Sequence, residues 1–207
     1  MRYNTCSGKR IFAAAGMMVL LAGCAGTEPS RFYTLHSMKD AAPYRESSAA
    51  DRSIALGPVE IPDYLDRPQI GTRTSQSEIF FSEFDRWAGS LREDIARVLS
   101  ENITELMSGS AVTVSPMKWG ANQQYRISME IQRFDVMQGG RNILNAQWSI
   151  LGRDRKKILL TRSSAFEEQA EGESYPAKIA AMSRALEKLS KEMSGGIKAV
   201  LEKGQQD

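Results

Sequence analysis

The sequence predicts an α+β fold: one domain, with a mostly antiparallel or mixed sheet and two long amphipathic helices packed on one of its faces. Three observations carry this. Strand-like and helix-like segments arrive in the order strands, helix, strands, helix. Two stretches space their apolar residues three and four apart, the signature of one buried helical stripe. Between them, residues 125–169 alternate apolar and polar positions, punctuated by glycine, as a meander does.

The N-terminus comes first. Arg2, Lys9 and Arg10 precede an apolar run over residues 11–21, with no acidic residue before Cys24. Such a run is too short to span a bilayer, which takes roughly 20 apolar residues, but it suits a secretory signal. It ends in Leu21-Ala22-Gly23-Cys24, which resembles the bacterial lipobox. That resemblance implies a signal peptide over 1–23, a lipidated tether over 24–30 and a domain over 31–207. Cys24 would become the new N-terminus, carrying covalent diacylglycerol and an N-acyl chain. The other cysteine, Cys6, lies in the segment removed, so the mature chain has no thiol for a disulfide. The formal charge changes from +2 to −1, which gives no support to nucleic-acid binding. From Cys24 to Phe32 there are eight residue steps, which reach less than about 30 Å fully extended. The domain is expected to stay close to its membrane.

Along the domain, residues 31–36 (RFYTLH) read as the first strand, and 37–52 as a polar, mobile loop. Residues 53–62 return to alternation, interrupted by Gly57-Pro58, which suggests a bulge or an edge position. Residues 69–74 and 77–83 read as an antiparallel pair. From Phe84, the apolar spacing through Trp87, Ala88, Leu91, Ile95, Val98, Leu99, Ile103 and Leu106 predicts the first helix, ended at Ser108-Gly109.

Four β segments follow, at 111–116, 125–138, 141–152 and 156–169. In the second, alternation slips in phase between Ile131 and Phe134, which predicts a bulge. Gly139-Gly140 and residues 152–156 read as hairpin connections, making the last three strands a meander. The second helix opens at Ser174, an N-cap with Pro176 in the first turn, and carries a stripe from Tyr175 to Val200. Gly195-Gly196 within it mark a kink or a close approach to another element. Neither helix has a polar face basic enough for lipid headgroups. Two helices on one side leave the other side of the sheet either polar or covered by a second protomer or another partner.

Catalysis finds little to stand on. His36 is the one histidine, no G-x-S-x-G elbow is present, and His/Cys metal sites are excluded by count. No phosphate-cradling loop occurs. The paired carboxylates Asp63/Asp66 and Glu167/Glu168 suit solvated turns or strand ends.

The segment LGPVEIPDYLDRPQIGTR, 56–73, is unlike generic loop sequence. Pro62 and Pro68 fix φ on either side of Tyr64, Leu65, Asp66 and Arg67. One reading is a rigid turn, with Tyr64 and Leu65 on the core and Asp66 paired to Arg67 or Arg73. The other is a preorganised recognition loop, since Tyr and Arg are common interface anchors.

Together the lipobox, FYTL, LGPVEIPDYLDRPQI-TR, RWA--L and MSRALEKLSKEM resemble the PqiC family of auxiliary lipoproteins in ABC-type and MCE-type envelope lipid transport. Gly71 replaces a larger aliphatic common at that place. The resemblance implies a non-enzymatic subunit, without metal or cofactor, anchored to the outer membrane on its periplasmic side and supporting membrane integrity. It would dock an MCE-type periplasmic protein, with Tyr64, Leu65, Asp66, Arg67, Arg73 and Trp87 as candidate partner-binding residues. The lack of Asp after Cys24 agrees with outer-membrane sorting of the enteric type. A self-standing lipid shuttle and a structural lipoprotein aiding outer-membrane protein assembly are the alternatives.

Overall fold

Strand β6 (Tyr125–Met137) is the spine of the molecule, and the other strands arrange themselves along its two edges. The structure is a computed structural model that describes residues 28–38, 52–108, 112–116, 123–152 and 157–204. Cys24, the expected signal segment, the first part of the tether and most of the expected loop at 37–52 lie outside the described residues.

On one edge of β6 runs β7 (Arg141–Leu151), antiparallel, followed by antiparallel β8 (Ile158–Gln169). This is the expected meander. Gly139 and Gly140 join β6 to β7 at φ of 87° and 82°, backbone that side chains disfavour. The other edge of β6 is shared. Strand β2 (Arg52–Glu60) lies parallel along residues 125–130, while β3 (Gln69–Arg73) lies parallel at Val136 and Met137. Strand β5 (Val112–Pro116) extends the sheet beyond β2. Beyond β3 come antiparallel β4 (Ile79–Trp87) and then parallel β1 (Arg31–Tyr33). The eight strands thus form one mixed sheet, and with two helices the fold is α+β as expected.

Both helices cover the same face. Helix α1 (Leu91–Leu106) starts at Ser90, whose side chain accepts from the Glu93 N–H, with Glu93 and Asp94 favourably placed in its first turn. Helix α2 (Tyr175–Lys203) starts at Ser174 with proline in its first turn, as expected. Ile95, Val98, Leu99 and Ile103 of α1 meet Leu186, Leu189 and Met193 of α2 in a core that also takes in Phe134, Leu144 and Trp148. Of the two readings for Gly195-Gly196, close approach is the one observed. A Cβ on Gly196 would stand 2.6 Å from Trp148 Cη2 and 2.8 Å from Leu160 Cδ2, and α2 runs unbroken past it.

Two expectations are corrected. Residues 84–87 belong to β4, and the helix begins only at Leu91. In β4 the Ser82 hydroxyl accepts the Asp85 N–H at 3.0 Å, while pairing with β3 shifts register. That irregularity breaks strand alternation and leaves Phe84, Trp87 and Ala88 at a spacing that mimics the helical stripe. The Gly57-Pro58 break is the expected irregularity: register with β6 shifts between Leu56 and Val59, and pairing with β5 ends at Leu56. Strand β1 stops at Tyr33, so His36 is not in it.

After β1 the chain instead crosses both helices as a strap. The Leu35 N–H donates to Asp94 Oδ2 at 2.6 Å and its carbonyl accepts from Arg97 Nη2 at 2.7 Å. The His36 N–H donates to Ser183 Oγ at 3.1 Å, and the Met38 N–H to Asn102 Oδ1 at 2.8 Å. Side chains take the place of a neighbouring strand, so these backbone groups are satisfied without a ladder.

The face away from the helices divides in two. Over β6–β8 it is mainly polar, with Glu130, Gln132, Gln147, Thr161, Ser163 and Glu167 exposed and Ile158 the exposed apolar residue at the start of β8. Over β1, β4 and β3 it carries aromatic and cationic side chains.

Candidate functional site: the turn at 61–68 and the cluster beneath it

Residues 61–68 span the interval in which the chain leaves β6 and rejoins it. Pairing ends at Glu60 opposite Glu130 and resumes at Thr72 opposite Val136. The expected bulge in β6, observed between Ile131 and Arg133, falls in that interval. The turn is closed by Leu65 N–H to Pro62 O (2.9 Å) and Asp66 N–H to Asp63 O (3.2 Å), and Trp87 N–H bonds Pro68 O at 2.7 Å. Two prolines and three backbone hydrogen bonds therefore hold one conformation.

Beneath the turn is a cluster that the sequence reading missed. Asp135, with a side chain 2% exposed, accepts Arg73 Nε at 2.6 Å and Arg133 Nε at 2.7 Å. Two guanidinium groups share one carboxylate, leaving one positive charge in excess. The Arg73 guanidinium lies 5.7 Å from the Tyr64 ring centroid. Burial raises the Tyr64 hydroxyl above its ordinary pKa, and the Asp135 charge adds to that against the opposing effect of Arg73. Burial would lower Arg73, but its bonds to Asp135 and Tyr64 outweigh this and hold it above its usual value. Arg133 and Asp135 stand two apart on one strand, hence on one face; that spacing is the signal available in the sequence.

The expected site residues separate into three groups. Leu65 and Trp87 are in the core, and Tyr64 packs half-buried against it. Arg73 is held by Asp135. Asp66 and Arg67 are exposed, and they do not pair with each other. Asp66 meets Arg92 of α1 at 2.7 Å, while Arg67 lies over the Phe81 ring at 4.1 Å. The expected pairing of Asp66 with Arg67 or Arg73 is corrected by these contacts. Arg73 has a better-buried carboxylate beside it in the sheet, and the crest of the turn brings Asp66 to the first turn of α1.

A second cluster ties the start of the domain to the sheet. Asp85 accepts Arg31 Nε at 2.9 Å, Tyr33 Oη at 3.0 Å and Ser82 Oγ at 2.8 Å. Burial opposes ionisation of Asp85, but the bonds from Ser82, Arg31 and Tyr33 outweigh it and hold the carboxyl below its ordinary range.

Among the described residues no group of three or more His, Cys, Asp or Glu is placed to hold a metal. Ser183 accepts from the His36 backbone and donates to Ile179 O, an arrangement that leaves its hydroxyl structural. An open groove of about 640 Å³ runs between Gly57-Pro58 and the start of α1. Its lining mixes Leu56, Pro58, Val59 and Ala96 with Arg92, Asp94 and Arg97. No helix among the described residues is long and apolar enough to cross a membrane.

Residues 33–194 match the model of the ABC-type transport auxiliary lipoprotein component, covering the turn and the cluster beneath it. The chain belongs to this family. The family is a transport auxiliary component and not an enzyme. Among curated proteins, the auxiliary lipoprotein described here is similar to the intermembrane transport lipoprotein PqiC of Escherichia coli K12 and of Shigella flexneri. Each is 22% identical over 128 residues, 62% of this chain and 67% of the relative. Two crystal structures share the fold. A protein from Xanthomonas campestris superposes with a TM-score of 0.66 at 14% identity, over 86% of this chain and 100% of its own. An uncharacterized protein does so at 0.68 and 17%, over 82% and 99%.

Proposed function

We propose that this auxiliary lipoprotein is held at the periplasmic side of the outer membrane by acyl chains on Cys24. There it docks an MCE-type periplasmic protein of an envelope lipid transport system, and so supports the membrane barrier. The observation that carries the proposal is the family match across 33–194. The short distance from Cys24 to β1 supports a fixed docking role over a travelling shuttle. The turn at 61–68 supplies the contact. Its backbone is preorganised, which limits the ordering cost of binding, and Tyr64, Asp66 and Arg67 stand at its surface.

The test is affinity purification of the full-length protein from envelopes, with Asp66→Ala and Arg67→Ala combined. The Asp66–Arg92 pair is about half exposed on both sides, and such pairs contribute about 0–1 kcal/mol. The double variant should therefore keep its melting temperature to within a few degrees while losing most of the co-purified MCE-type protein. Full retention of that protein by the variant removes the turn from the interface.

A further inference from the structure

The part of the helix-free face over β1, β4 and β3 differs from the polar part over β6–β8. Phe32 is 63% exposed and pairs with Arg86, which pairs in turn with Gln69. One row along, Phe81 pairs with Gly71 and lies under the Arg67 guanidinium at 4.1 Å. Paired residues share a face, so Phe32, Arg86, Gln69, Phe81 and Arg67 form one continuous patch. Several other surface arginines are matched by carboxylates, as in Arg92–Asp66, Arg97–Glu101 and Arg184–Glu168. In the patch they are not. Among the described residues neither Arg67 nor Arg86 has an ion-pair partner, and Arg86 Nε donates only to Glu83 O. The excess positive charge of the Arg73–Asp135–Arg133 cluster lies on the same face.

The position of the tether decides what this patch meets. Arg31, opening β1, is bound to Asp85, so the chain is fixed to the sheet from there on. From Cys24 to Arg31 there are seven residue steps, at most about 25 Å. The strand that carries Phe32 is therefore the first element of the domain beyond the anchor. We infer that this patch rests on the phospholipid surface, with Arg86 on lipid phosphates, Phe32 at the headgroup–acyl boundary and Arg67 at the rim, where the docked partner begins. Guanidinium groups match phosphate oxygens bidentately, and apolar rings beside basic residues are what interfacial binding uses. The inference rests on the reading of Cys24 as lipidated. It places the turn at 61–68 at the rim of the membrane contact, with Asp66 on its far side toward α1.

The experiment uses the full lipidated chain in vesicles of phosphatidylethanolamine and phosphatidylglycerol, with headgroup spin-labelled lipid as quencher. Gln69→Cys in the patch and Gln147→Cys on the polar part are each coupled to an environment-sensitive fluorophore. Lipid caps the one native thiol of the mature chain, so labelling is specific. The label at 69 should be quenched several-fold more than the label at 147. Phe32→Ser with Arg86→Glu, in the Gln69→Cys chain, should bring the two to near parity. Vesicle-bound protein with equal quenching at both positions overturns the patch while leaving the anchor in place. Protein that takes label at Cys24 and fails to sediment with vesicles overturns the anchor reading, and the patch placement with it. Protection of position 69 in native envelopes without quenching in vesicles assigns the face to a protein partner and also overturns the inference.

Discussion

Asp135→Ala lowers the stability of this domain by about 3 kcal/mol, the lower end of the cost of breaking a buried ion pair by removing one partner. The carboxylate is 2% exposed and holds both Arg73 and Arg133. Without it, two guanidinium groups remain side by side against the sheet, repelling each other. Their own exposures of 16% and 28% allow some recovery through water, which is why the lower end applies. In a domain of this size each kcal/mol moves the melting temperature by about 2–4 °C, so the expected fall is roughly 6–12 °C. Adding Arg133→Met to Asp135→Ala should recover part of it, because one of the orphaned cations is then gone. Thermal denaturation of the two variants beside the parent checks both statements. The same substitution loosens Arg73 beneath Tyr64, so docking through the turn should weaken with it. A melting temperature unchanged by Asp135→Ala would show that the cluster contributes nothing to holding the turn.

Cys24→Ala should have the largest effect on location. Each buried CH₂ of an acyl chain contributes about 0.8 kcal/mol to membrane binding; one chain anchors marginally, and two signals or more hold firmly. The expected product is an uncleaved precursor or a free periplasmic form, and neither should take up palmitate label. Fractionation with labelled palmitate reads both at once. A labelled, membrane-bound variant would rule out Cys24 as the lipid site.

Much of the fold was legible because its signals are local. Ser174 and Pro176 mark the start of α2, glycines 139 and 140 mark the β6–β7 turn, and the phase slip after Ile131 marks the bulge. What escaped depends on contacts far apart in sequence. The end of β4 was read as helix because the irregularity at Ser82–Asp85 leaves Phe84, Trp87 and Ala88 at helical spacing. The strap over the helices needs Asp94, Asn102 and Ser183 to satisfy its backbone, and periodicity does not register such bonds. The candidate turn was visible through its prolines. The cluster beneath it was not, because Arg73 and Asp135 stand 62 residues apart and meet only once β3 rejoins β6.

The central claim is that the protein works by holding a transport partner at its own membrane. Cells lacking it, and lacking parallel lipid-transport systems, should have an outer membrane weakened toward detergents. The decisive measurement is detergent resistance after residues 25–207 are returned in two forms. One is fused to the anchor of an unrelated outer-membrane lipoprotein, and the other is released free into the periplasm at equal level. The account predicts that the anchored form restores resistance and the free form does so poorly. Full rescue by the free form, carrying phospholipid on extraction, would contradict it and make the protein a shuttle.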